Sequence, residues 1–458
     1  MIASEGKLGF IESLSAAIGE IGGEIYEVGG PVRDHLLGIS HPKDIDLIVC
    51  GVPFPKLKDI LKKQGNINLV GQTFGVIKFK PFAADFIIDI SLPRKERSTG
   101  IGHRDFEVDF DHNLPIEQDL RRRDFTINAM ARNLATGLLV DPYGGQADLK
   151  ARLLRMVSPS SFPDDPLRML RGVQFAARFI LTIEDGTLKA MQENAKLINT
   201  ISPERIAEEL NKLLEKADKP SLGLRLMHET GLMAEVLPEL EQTSGVEQPG
   251  GYHRWDVFEH TLVAIDATPP KLEVRLAALF HDTGKPATRE LTDTGATFYG
   301  HDQLSQQLTE KALKRLRYSN DIIKQVSLLV RRHMFSEAAG DKGIRRLINK
   351  VGKELIFDLI ALRRADTIAQ GMGQTTEGID EFEERVKAEL EKSNAFGVKD
   401  LAVNGDDLKS QFKLPESKLI GEILAYLLDK VLDEPELNTY DKLLTLSADF
   451  LSKRRLDI

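Results

Sequence analysis

The sequence contains only one cysteine, Cys50, among its 458 residues. A single thiol excludes an internal disulfide and is typical of the reducing cytoplasm, where we expect this protein. No apolar run reaches the roughly eighteen residues of a membrane-spanning helix, and the N-terminus lacks the basic start and apolar block of a signal peptide. The lack of both features predicts a protein without a membrane partner.

Tandem repeats, low-complexity segments and an excess of positive charge are also missing. The formal net charge is −9, with 41% hydrophobic and 29% charged residues, which is the balance of an ordinary globular protein. An acidic average does not exclude nucleic-acid binding, because clustered Lys and Arg side chains make the phosphate contacts. The length exceeds that of one ordinary core, so we expect two to four domains.

Strand signals are concentrated before residue 150, in runs such as Phe74–Phe79 and Phe86–Ile90. From about residue 151 onward the pattern is helical almost without a break, with looser connections near residues 243–251 and 392–397. The chain therefore predicts an α+β fold. The first predicted domain, residues 1–150, has a mixed sheet and helices. Three all-α domains follow it, at residues 151–245, 246–385 and 386–458.

The most informative stretch runs from Tyr26 to Val49 and predicts a short strand, a Gly29-Gly30 turn, a short helix and a second strand. Proline just inside the helix start and Gly38 just past its end occupy favoured positions. Paired glycines let a ligand approach the backbone closely, and a helix N-terminus beside them favours phosphate. The alternative is an ordinary surface turn.

Asp44 and Asp46 lie on the second predicted strand and project together, while Ile45 and Leu47 face the other way. Two adjacent carboxylates repel each other unless a cation lies between them, and Mg²⁺ prefers such oxygen ligands. Asp89 is a third acid on a strand. If it converges on the pair, the three complete a site for nucleoside triphosphate and metal. The alternative is a strand with a solvated acidic face.

Two charged segments follow. Residues 91–113 are highly charged, contain glycine and show little periodicity, which favours a functional loop over an ordinary exposed hairpin. Arg121, Arg122 and Arg123 lead into a stretch that begins at Phe125 and is expected to pack. A guanidinium fixed in this way near carboxylates is suited to holding a triphosphate.

The chain resembles the class II, bacterial-type tRNA nucleotidyltransferase and poly(A) polymerase family over about residues 20–240. The resemblance rests on GGPVRDHLLG with DID, then RRRDFTINAMA, DPYGGQADL, PDDPLRMLRGVQFAARF and SPERIAEEL, in family order. It implies a DNA polymerase beta-like nucleotidyltransferase head, a helical neck, a body and a tail. It also implies that CTP and ATP are joined to the 3′ end of tRNA without a template.

By the family pattern, Asp44 and Asp46 hold the catalytic Mg²⁺ ions, and Asp89 is a candidate third catalytic acid. The nucleotide-binding residues that we expect from the resemblance are Gly29, Gly30, Arg33, Arg123, Asp124, Asn128, Asp165, Arg168 and Arg171. The chain departs from the pattern at Asp164, where Glu is usual, and at Gln174, where many members have an arginine.

Asp165 and Arg168 match the family's base-reading pair, and the chemistry of such a pair can be stated independently. Cytosine and adenine both present an amino donor beside a ring-nitrogen acceptor, which an aspartate and an arginine match. Guanine and uracil place a carbonyl where the amino group would be, and a carboxylate repels it. The alternative is that Asp165 simply caps a helix that begins at Pro166.

A second set of candidate ligands lies in residues 250–370. In order along the chain they are His260, His281, Asp282, His301, His333 and Asp366. Histidines and carboxylates from different helices can converge in a bundle to hold one or two metals. The order resembles the HD phosphohydrolase superfamily, which implies a divalent transition metal and repair of blocked tRNA 3′ ends. The alternative is a degenerate domain that only shapes the tRNA-binding body.

Taken together, the sequence predicts a CCA-adding tRNA nucleotidyltransferase that is a monomer and has tRNA, CTP and ATP as partners. An A-adding enzyme or a poly(A) polymerase is the alternative within the family. Two alternatives from other classes are an HD-type phosphohydrolase whose head only binds RNA, and a non-catalytic RNA-binding protein.

Overall fold

The structure is a computed structural model that describes residues 2–39, 45–70, 76–82, 86–98, 106–293, 295–392 and 395–456. The chain divides into two compact units, Met1–Pro238 and Glu239–Ile458. The first unit contains a mixed sheet and helices, and the second is almost entirely helical. The predicted α+β class is confirmed, whereas the finer division into four domains stays a prediction.

The first unit holds its strands before a run of helices. Its elements are α1 (Ile2–Gly19), β1 (Glu24–Val28), α2 (Gly30–Leu36), β2 (Asp46–Cys50), α3 (Phe54–Lys62), β3 (Gly65–Val70), β4 (Val76–Pro81), β5 (Ile88–Ser91), β6 (Arg94–Ser98), β7 (Phe106–Phe110), α4 (Ile116–Arg121), β8 (Ala131–Asn133), β9 (Leu139–Val140), α5 (Gly145–Lys150), β10 (Leu153–Leu154), α6 (Ser161–Asp164), α7 (Leu167–Phe179), β11 (Thr182–Ile183), α8 (Asp185–Asn194), α9 (Pro203–Lys216), α10 (Pro220–Glu229) and α11 (Leu232–Val236). A short helix, α12 (Pro238–Glu241), spans the boundary between the units.

Seven of the described strands form one sheet in the order β3-β4-β5-β2-β1-β8-β9. Only β2 and β5 pair in parallel, and every other neighbouring pair in this sheet is antiparallel. The central strand β2 is covered on both faces, because Leu47 and Val49 pack with α1 and α3, while Ile48 and Cys50 pack with α4. Burial raises the pKa of the Cys50 thiol to about 12, in agreement with a packed thiol.

The segment at residues 94–113 differs from its prediction as an irregular loop. Strands β6 and β7 pair antiparallel, from Arg94 opposite Phe110 to Ser98 opposite Phe106, so the described part of this segment is a hairpin ribbon. Strand β6 is polar throughout and gives no strand signal, whereas β7 (FEVDF) alternates apolar and acidic residues, a signal that the prediction missed. The described residues thus have the strand pairing of the hairpin alternative, and a functional role for the segment stays a prediction.

The second unit is built mainly of long helices. Its elements are α13 (Val257–Ala267), α14 (Leu272–Phe280), α15 (Lys285–Thr288), β12 (Glu290–Thr292), β13 (Gly295–Thr297), α16 (His301–Arg315), α17 (Asn320–Arg332), α18 (Asp341–Val351), α19 (Ile356–Gln370), α20 (Glu377–Glu391), α21 (Gly405–Phe412), α22 (Lys418–Asp433) and α23 (Tyr440–Leu456). The α13, α14, α17 and α19 helices pack against one another. The last three helices enclose a separate apolar cluster that includes Leu408 and Leu427.

Two short strand pairs interrupt the helical part, where no strand was predicted. They are β10 with β11 in the first unit and β12 with β13 in the second. Each strand has two or three residues, too few to produce a periodic signal in the sequence. Among the described helices, none combines the length and the apolar character needed to cross a bilayer.

Candidate active site and metal centre

The first unit has a cavity of about 700 Å³ where strands β2 and β5 begin. Its wall carries both signs of charge. The lining carboxylates are Asp34, Asp46 and Asp89, and the lining cations are Arg33, Lys78, Lys80, Arg178 and Lys216. A cavity with more cations than carboxylates, in which the carboxylates can hold metal ions, matches the charge distribution of a metal-bound triphosphate.

Asp46 and Asp89 are neighbours across the parallel strand pair, where their Cα atoms are register partners. Their flanking residues Ile45, Ile88 and Ile90 belong to the apolar core on the other face of the sheet. Alternation along a strand therefore directs both carboxylates away from that core and into the cavity. Asp44 lies outside the described residues. Strand register thus brings together two of the three predicted catalytic acids.

The Asp89 carboxylate already has a cationic neighbour in the cavity. Lys78 Nζ lies 3.1 Å from Asp89 Oδ1, and both side chains are well exposed to solvent. Lys78 and Lys80 alternate on β4 with Ile77 and Phe79, which are fully buried. That alternation is the sequence signal that could have identified both lysines as cavity residues. No comparable pattern marks Arg178 and Lys216, which come from the last turns of α7 and α9.

The paired glycines leave room for an arginine. Gly29 has φ +73°, and a Cβ atom there would lie 2.5 Å from Arg123 Nη1. Gly30 begins α2 and lines the cavity. The α2 helix has seven residues, and binding of phosphate at its N-terminus stays a prediction.

Arg33 is fixed by contacts on several sides. Its guanidinium donates to Asp34 Oδ1 from Nε at 2.8 Å and from Nη2 at 2.6 Å, and Nη1 donates to Asn128 Oδ1 at 2.7 Å. It also lies over the rings of Phe175 and Phe179. Because a cation held in this way cannot reorient, Arg33 presents a fixed charge at the cavity wall.

Asn128 also contacts a buried ion pair formed by Asp124 and Arg171. Its Nδ2 donates to Asp124 Oδ1 at 3.0 Å, and Arg171 Nε donates to Asp124 Oδ2 at 2.8 Å. Burial opposes a charged Asp124, but Arg171 and Asn128 outweigh it and lower the pKa of that carboxyl to about 2. The network thus connects four predicted nucleotide-binding residues, namely Arg33, Asn128, Asp124 and Arg171. Of these, Arg33 lines the cavity.

Replacing Asp124 with asparagine is expected to reduce the free energy of unfolding by about 2 kcal/mol at neutral pH, because the pKa shift of about 2 is lost. A lowered carboxyl pKa stabilises the folded protein above the ordinary value of 3.8. This contribution is lost as pH falls from about 4 to about 2, since the folded carboxylate is then protonated. Urea unfolding at pH 7 and pH 3 measures both effects. Asp218→Asn, at an exposed acid of the same unit, is the control, and equal stability of the two variants would contradict the assignment.

One nitrogen of the Arg123 guanidinium makes no hydrogen bond within the described chain. Its Nη2 reaches Asp119 Oδ2 at 3.3 Å, while its Nε is buried and has no hydrogen-bond partner in the described chain. Arg122 holds the same Asp119 at 2.7 Å. Burial disfavours the Asp119 charge, but the two arginines outweigh it and lower its pKa. The arginine cluster is therefore anchored on a buried acid, and its position beside Gly29 suits a ligand contact by Arg123.

The predicted base-reading residues are both engaged locally. Asp165 Oδ1 accepts from the backbone N–H of Leu167 at 3.3 Å, and its Oδ2 lies 3.4 Å from Arg205. Arg168 Nη2 donates to the carbonyl of Arg122 at 2.7 Å. The α7 helix begins at Leu167 with Pro166 at its cap position, so Asp165 lies one residue before the cap and bonds to the first helical N–H. The contact between Arg168 and Arg122 also connects α7 to the arginine cluster.

All six predicted ligands of the second unit converge on one buried cluster. His260 lies on α13, Asp366 lies on α19, and the other four lie at helix ends. The ligand atoms of His260, His281 and Asp366 lie within 4.8 Å of one another, as do those of Asp282, His301 and His333. Every one of the six is buried. Residues up to 106 positions apart along the chain therefore meet at one point.

The histidines are oriented as metal ligands. In His281, His301 and His333, Nδ1 donates to the backbone carbonyl three residues earlier, at 2.8, 2.8 and 2.7 Å. When Nδ1 carries the proton, Nε2 of a neutral imidazole presents its lone pair to the cluster. The Nε2 atoms of His301 and His333 lie 3.3 Å apart, and those of His260 and His281 lie 3.2 Å apart. Lone pairs this close repel unless a cation or a proton lies between them.

The cluster also requires positive charge to balance its acids. Burial disfavours a charged His281, but Asp282 and Asp366 outweigh it and raise its pKa to about 10. Burial lowers the pKa of His333 to about 3, so that ring is neutral, as a metal ligand must be. A proton on His281 and a divalent cation are alternative ways to balance the acids. Mixed imidazole and carboxylate ligands fit a divalent transition metal.

The cluster opens onto a cavity of about 510 Å³, whose wall includes Asp282, His301, His333 and Asp366. Several other lining residues were not identified from the sequence, because isolated aromatic or basic residues carry no spacing signal. They are Tyr252, His253, Lys285, Tyr299 and Arg363. Lys285 Nζ lies 2.7 Å from Asp282 Oδ2, and Arg363 Nη1 lies 2.9 Å from Asp366 Oδ2. Cations beside the acids suit a phosphate ester as ligand.

Three protein families match this chain. The match to the poly A polymerase head domain covers residues 25–155, and that to the RNA and SrmB-binding site of polymerase A covers residues 181–243. The match to tRNA nucleotidyltransferase domain 2 covers residues 296–446. The head-domain match includes the described cavity acids Asp46 and Asp89.

Curated relatives and solved structures agree with these families. The multifunctional CCA protein of Methylobacillus flagellatus is 39% identical over 317 residues, which are 68% of this chain and 73% of the relative. That of Cupriavidus necator is 37% identical over 68% of this chain and 75% of the relative. The Bacillus stearothermophilus CCA-adding enzyme in complex with CTP has the same fold, with a TM-score of 0.73 and 22% identity over 99% of this chain and 98% of that one. The chain therefore belongs to the family of the multifunctional CCA proteins, a family of CCA tRNA nucleotidyltransferases.

Proposed function

We propose that the first unit adds CTP and ATP to the 3′ end of tRNA without a template. The tRNA 3′ hydroxyl loses its proton to solvent and its oxygen bonds to the α-phosphorus, while the bond from that phosphorus to the β-phosphate oxygen breaks and pyrophosphate leaves with the electron pair. The observation that supports this most strongly is the cavity that places Asp46 and Asp89 among five cations. Relatives named for CCA, and similar folds in complex with CTP, ATP and tRNA, support the same substrates.

We assign the metal-holding role to Asp44, Asp46 and Asp89. Mg²⁺ bound there would neutralise charge that develops on the phosphates during transfer. Lys78 and Lys80 extend from one face of β4 and line the same cavity, where ammonium groups favour a triphosphate. Arg33, held by Asp34 and Asn128, adds a charge that needs no reorganisation when the nucleotide arrives.

Base selection is assigned to Asp165 and Arg168. An aspartate accepts from the amino group of cytosine or adenine, and an arginine donates to the neighbouring ring nitrogen. The same aspartate faces a carbonyl on guanine or uracil and repels it, which excludes GTP and UTP. Arg205 and the Arg122 carbonyl hold the two side chains in the free protein. Nucleotide binding must therefore exchange these contacts for contacts with the base.

A staged assay tests this function directly. Transfer RNAs that end before CCA, after C or after CC are each offered CTP, ATP, GTP or UTP alone. We expect C to be added to the first two, A to the third only, and neither GTP nor UTP to be used. Long tails made from ATP alone would instead show a poly(A) polymerase. Addition of A without addition of C would show an A-adding enzyme. If no nucleotide is incorporated, the proposed activity is wrong and RNA binding is the remaining role for the first unit.

The histidine cluster supports a second function, hydrolysis of phosphate esters at a blocked RNA 3′ end. Water adds to phosphorus, the bond from phosphorus to a ribose oxygen breaks, and a proton from water ends on that oxygen. A divalent transition metal held by the six ligands would activate the water and polarise the phosphate. Lys285 and Arg363, each paired with a cluster acid, would contact the phosphate oxygens. Metal-dependent opening of 2′,3′-cyclic AMP is the simplest test.

A further inference from the structure

The second unit contains another cavity, of about 390 Å³, which lies beside the 510 Å³ cavity of the histidine cluster and is here called the second cavity. The two cavities share Asp302 and Met334 in their walls. They share chain segments as well, because Asp302 follows the ligand His301 and Arg332 precedes the ligand His333. The two cavities therefore adjoin at the helix ends that carry two of the proposed metal ligands.

The second cavity is strongly basic although the whole chain has a net charge of −9. Its charged lining residues are Asp302, Arg331, Arg332, Arg346 and Lys350, four cations against one acid. Arg331 pairs with Asp302, and Arg346 pairs with acids of α22 at 2.7 and 2.8 Å. Among the described residues, these pairs leave two cations of the cavity without a carboxylate, Arg332 and Lys350.

The two remaining cations differ in exposure but share the lack of an acidic partner. Arg332 Nε is buried and has no hydrogen-bond partner in the part of the chain that the structure describes. Lys350 lies exposed near the end of α18, and no described carboxylate pairs with it. Both side chains line the cavity, where an anion would supply the charge partner that they lack. Phe335 and Leu347 supply an apolar part of the wall, against which a ribose can pack.

We infer that this cavity binds the phosphodiester backbone next to the terminal phosphate, so that the hydrolytic site acts on the 3′ end of an RNA chain in preference to a free nucleotide. The inference rests on the proposed hydrolysis at the histidine cluster. A strand laid across both cavities places its terminal phosphate at the cluster and the preceding phosphate by Arg332 and Lys350. Tyr252 and Tyr299, both strongly exposed at the cluster cavity, offer ring faces on which unpaired bases stack.

The test compares one RNA substrate with one small substrate on the full chain. A short oligoribonucleotide that ends in a 2′,3′-cyclic phosphate and 2′,3′-cyclic AMP are hydrolysed by the wild type and by Lys350→Glu. The variant changes an exposed side chain, so the fold is retained. We expect KM for the oligoribonucleotide to rise about tenfold, with kcat and the kinetics of cyclic AMP unchanged. The slope of log KM against log salt should fall by about 0.7, the value for one phosphate contact on a single strand.

Lys324→Glu is the matched control, because Lys324 is also exposed and lies on the neighbouring helix α17, outside the cavity lining. Arg332→Gln is a second variant and should give the same pattern as Lys350→Glu. If Lys350→Glu and Lys324→Glu have equal KM values for the oligoribonucleotide, the inference is wrong. If the wild type opens neither substrate in the presence of divalent metals, the proposed hydrolysis itself is wrong, so the two failures can be distinguished.

Discussion

Replacing Asp46 with alanine is expected to lower kcat for both CTP and ATP incorporation at least about a thousandfold, which is about 4 kcal/mol of transition-state stabilisation. Asp46 lines the cavity beside its register partner Asp89, and both point away from the apolar core. Without one of the acids, the remaining carboxylate cannot hold the metal that neutralises charge in phosphoryl transfer. Single-turnover incorporation into a tRNA that ends after CC measures the loss.

The same variant should retain tRNA affinity within about twofold, because one carboxylate makes no favourable contact with phosphates. Asp59→Ala changes an exposed acid on α3 of the same unit and should retain full activity. Asp89→Ala separates the role of the third acid, whose carboxylate pairs with Lys78 in this structure. Incorporation by Asp46→Ala at more than about a tenth of the wild-type rate would contradict the assignment of this cavity.

The second large effect is expected at the histidine cluster. Asp282→Asn should abolish hydrolysis of 2′,3′-cyclic AMP, with a loss of at least about a thousandfold. Asp282 lies 3.2 Å from His281 and 3.5 Å from both His260 and His301, so its charge would be central to holding the proposed cation. The variant should also bind less divalent metal than the wild type, as measured by elemental analysis after gel filtration.

CCA addition by Asp282→Asn should be unchanged, since the proposed transfer site lies in the first unit. Chelation of the wild type should reproduce the loss of hydrolysis, and a divalent transition metal should restore it. Asp321→Asn, an exposed acid at the start of α17, should change neither activity. Wild-type metal content together with wild-type hydrolysis in Asp282→Asn would show that the cluster is only structural, as the degenerate-domain alternative holds.

The sequence contained most of the information needed for the fold class and for both clusters of acids and histidines. The stretch from Tyr26 to Val49 combines strand alternation, a glycine turn and helix-end signals, and the described part of it has the predicted elements. The histidine cluster was predictable for another reason. Its ligands are chemically distinctive, and a helical bundle can bring them together from distant positions.

The rest depended on tertiary structure. One strand of the charged ribbon, β6, has no apolar residue and gives no strand signal, although the alternation of its partner β7 was readable in the sequence. Arg178 and Lys216 reach the cavity of the first unit from the ends of two helices, and their distance along the chain from Asp46 conceals this. Asp165 contacts Arg205, forty positions away, which the spacing of Asp165 and Arg168 does not reveal. Local patterns predict elements and ligand types, whereas neighbours across the fold must be observed.

The central claim is that one chain carries two separate chemistries, nucleotidyl transfer at Asp46 and phosphate ester hydrolysis at Asp282. The most direct measurement offers labelled ATP to a tRNA that ends after CC in a 3′ phosphate, which blocks the hydroxyl. We predict that the wild type adds A, that Asp46→Ala and Asp282→Asn each fail alone, and that a mixture of the two variants restores addition. Addition by either variant alone, or no addition by the mixture, would contradict the account.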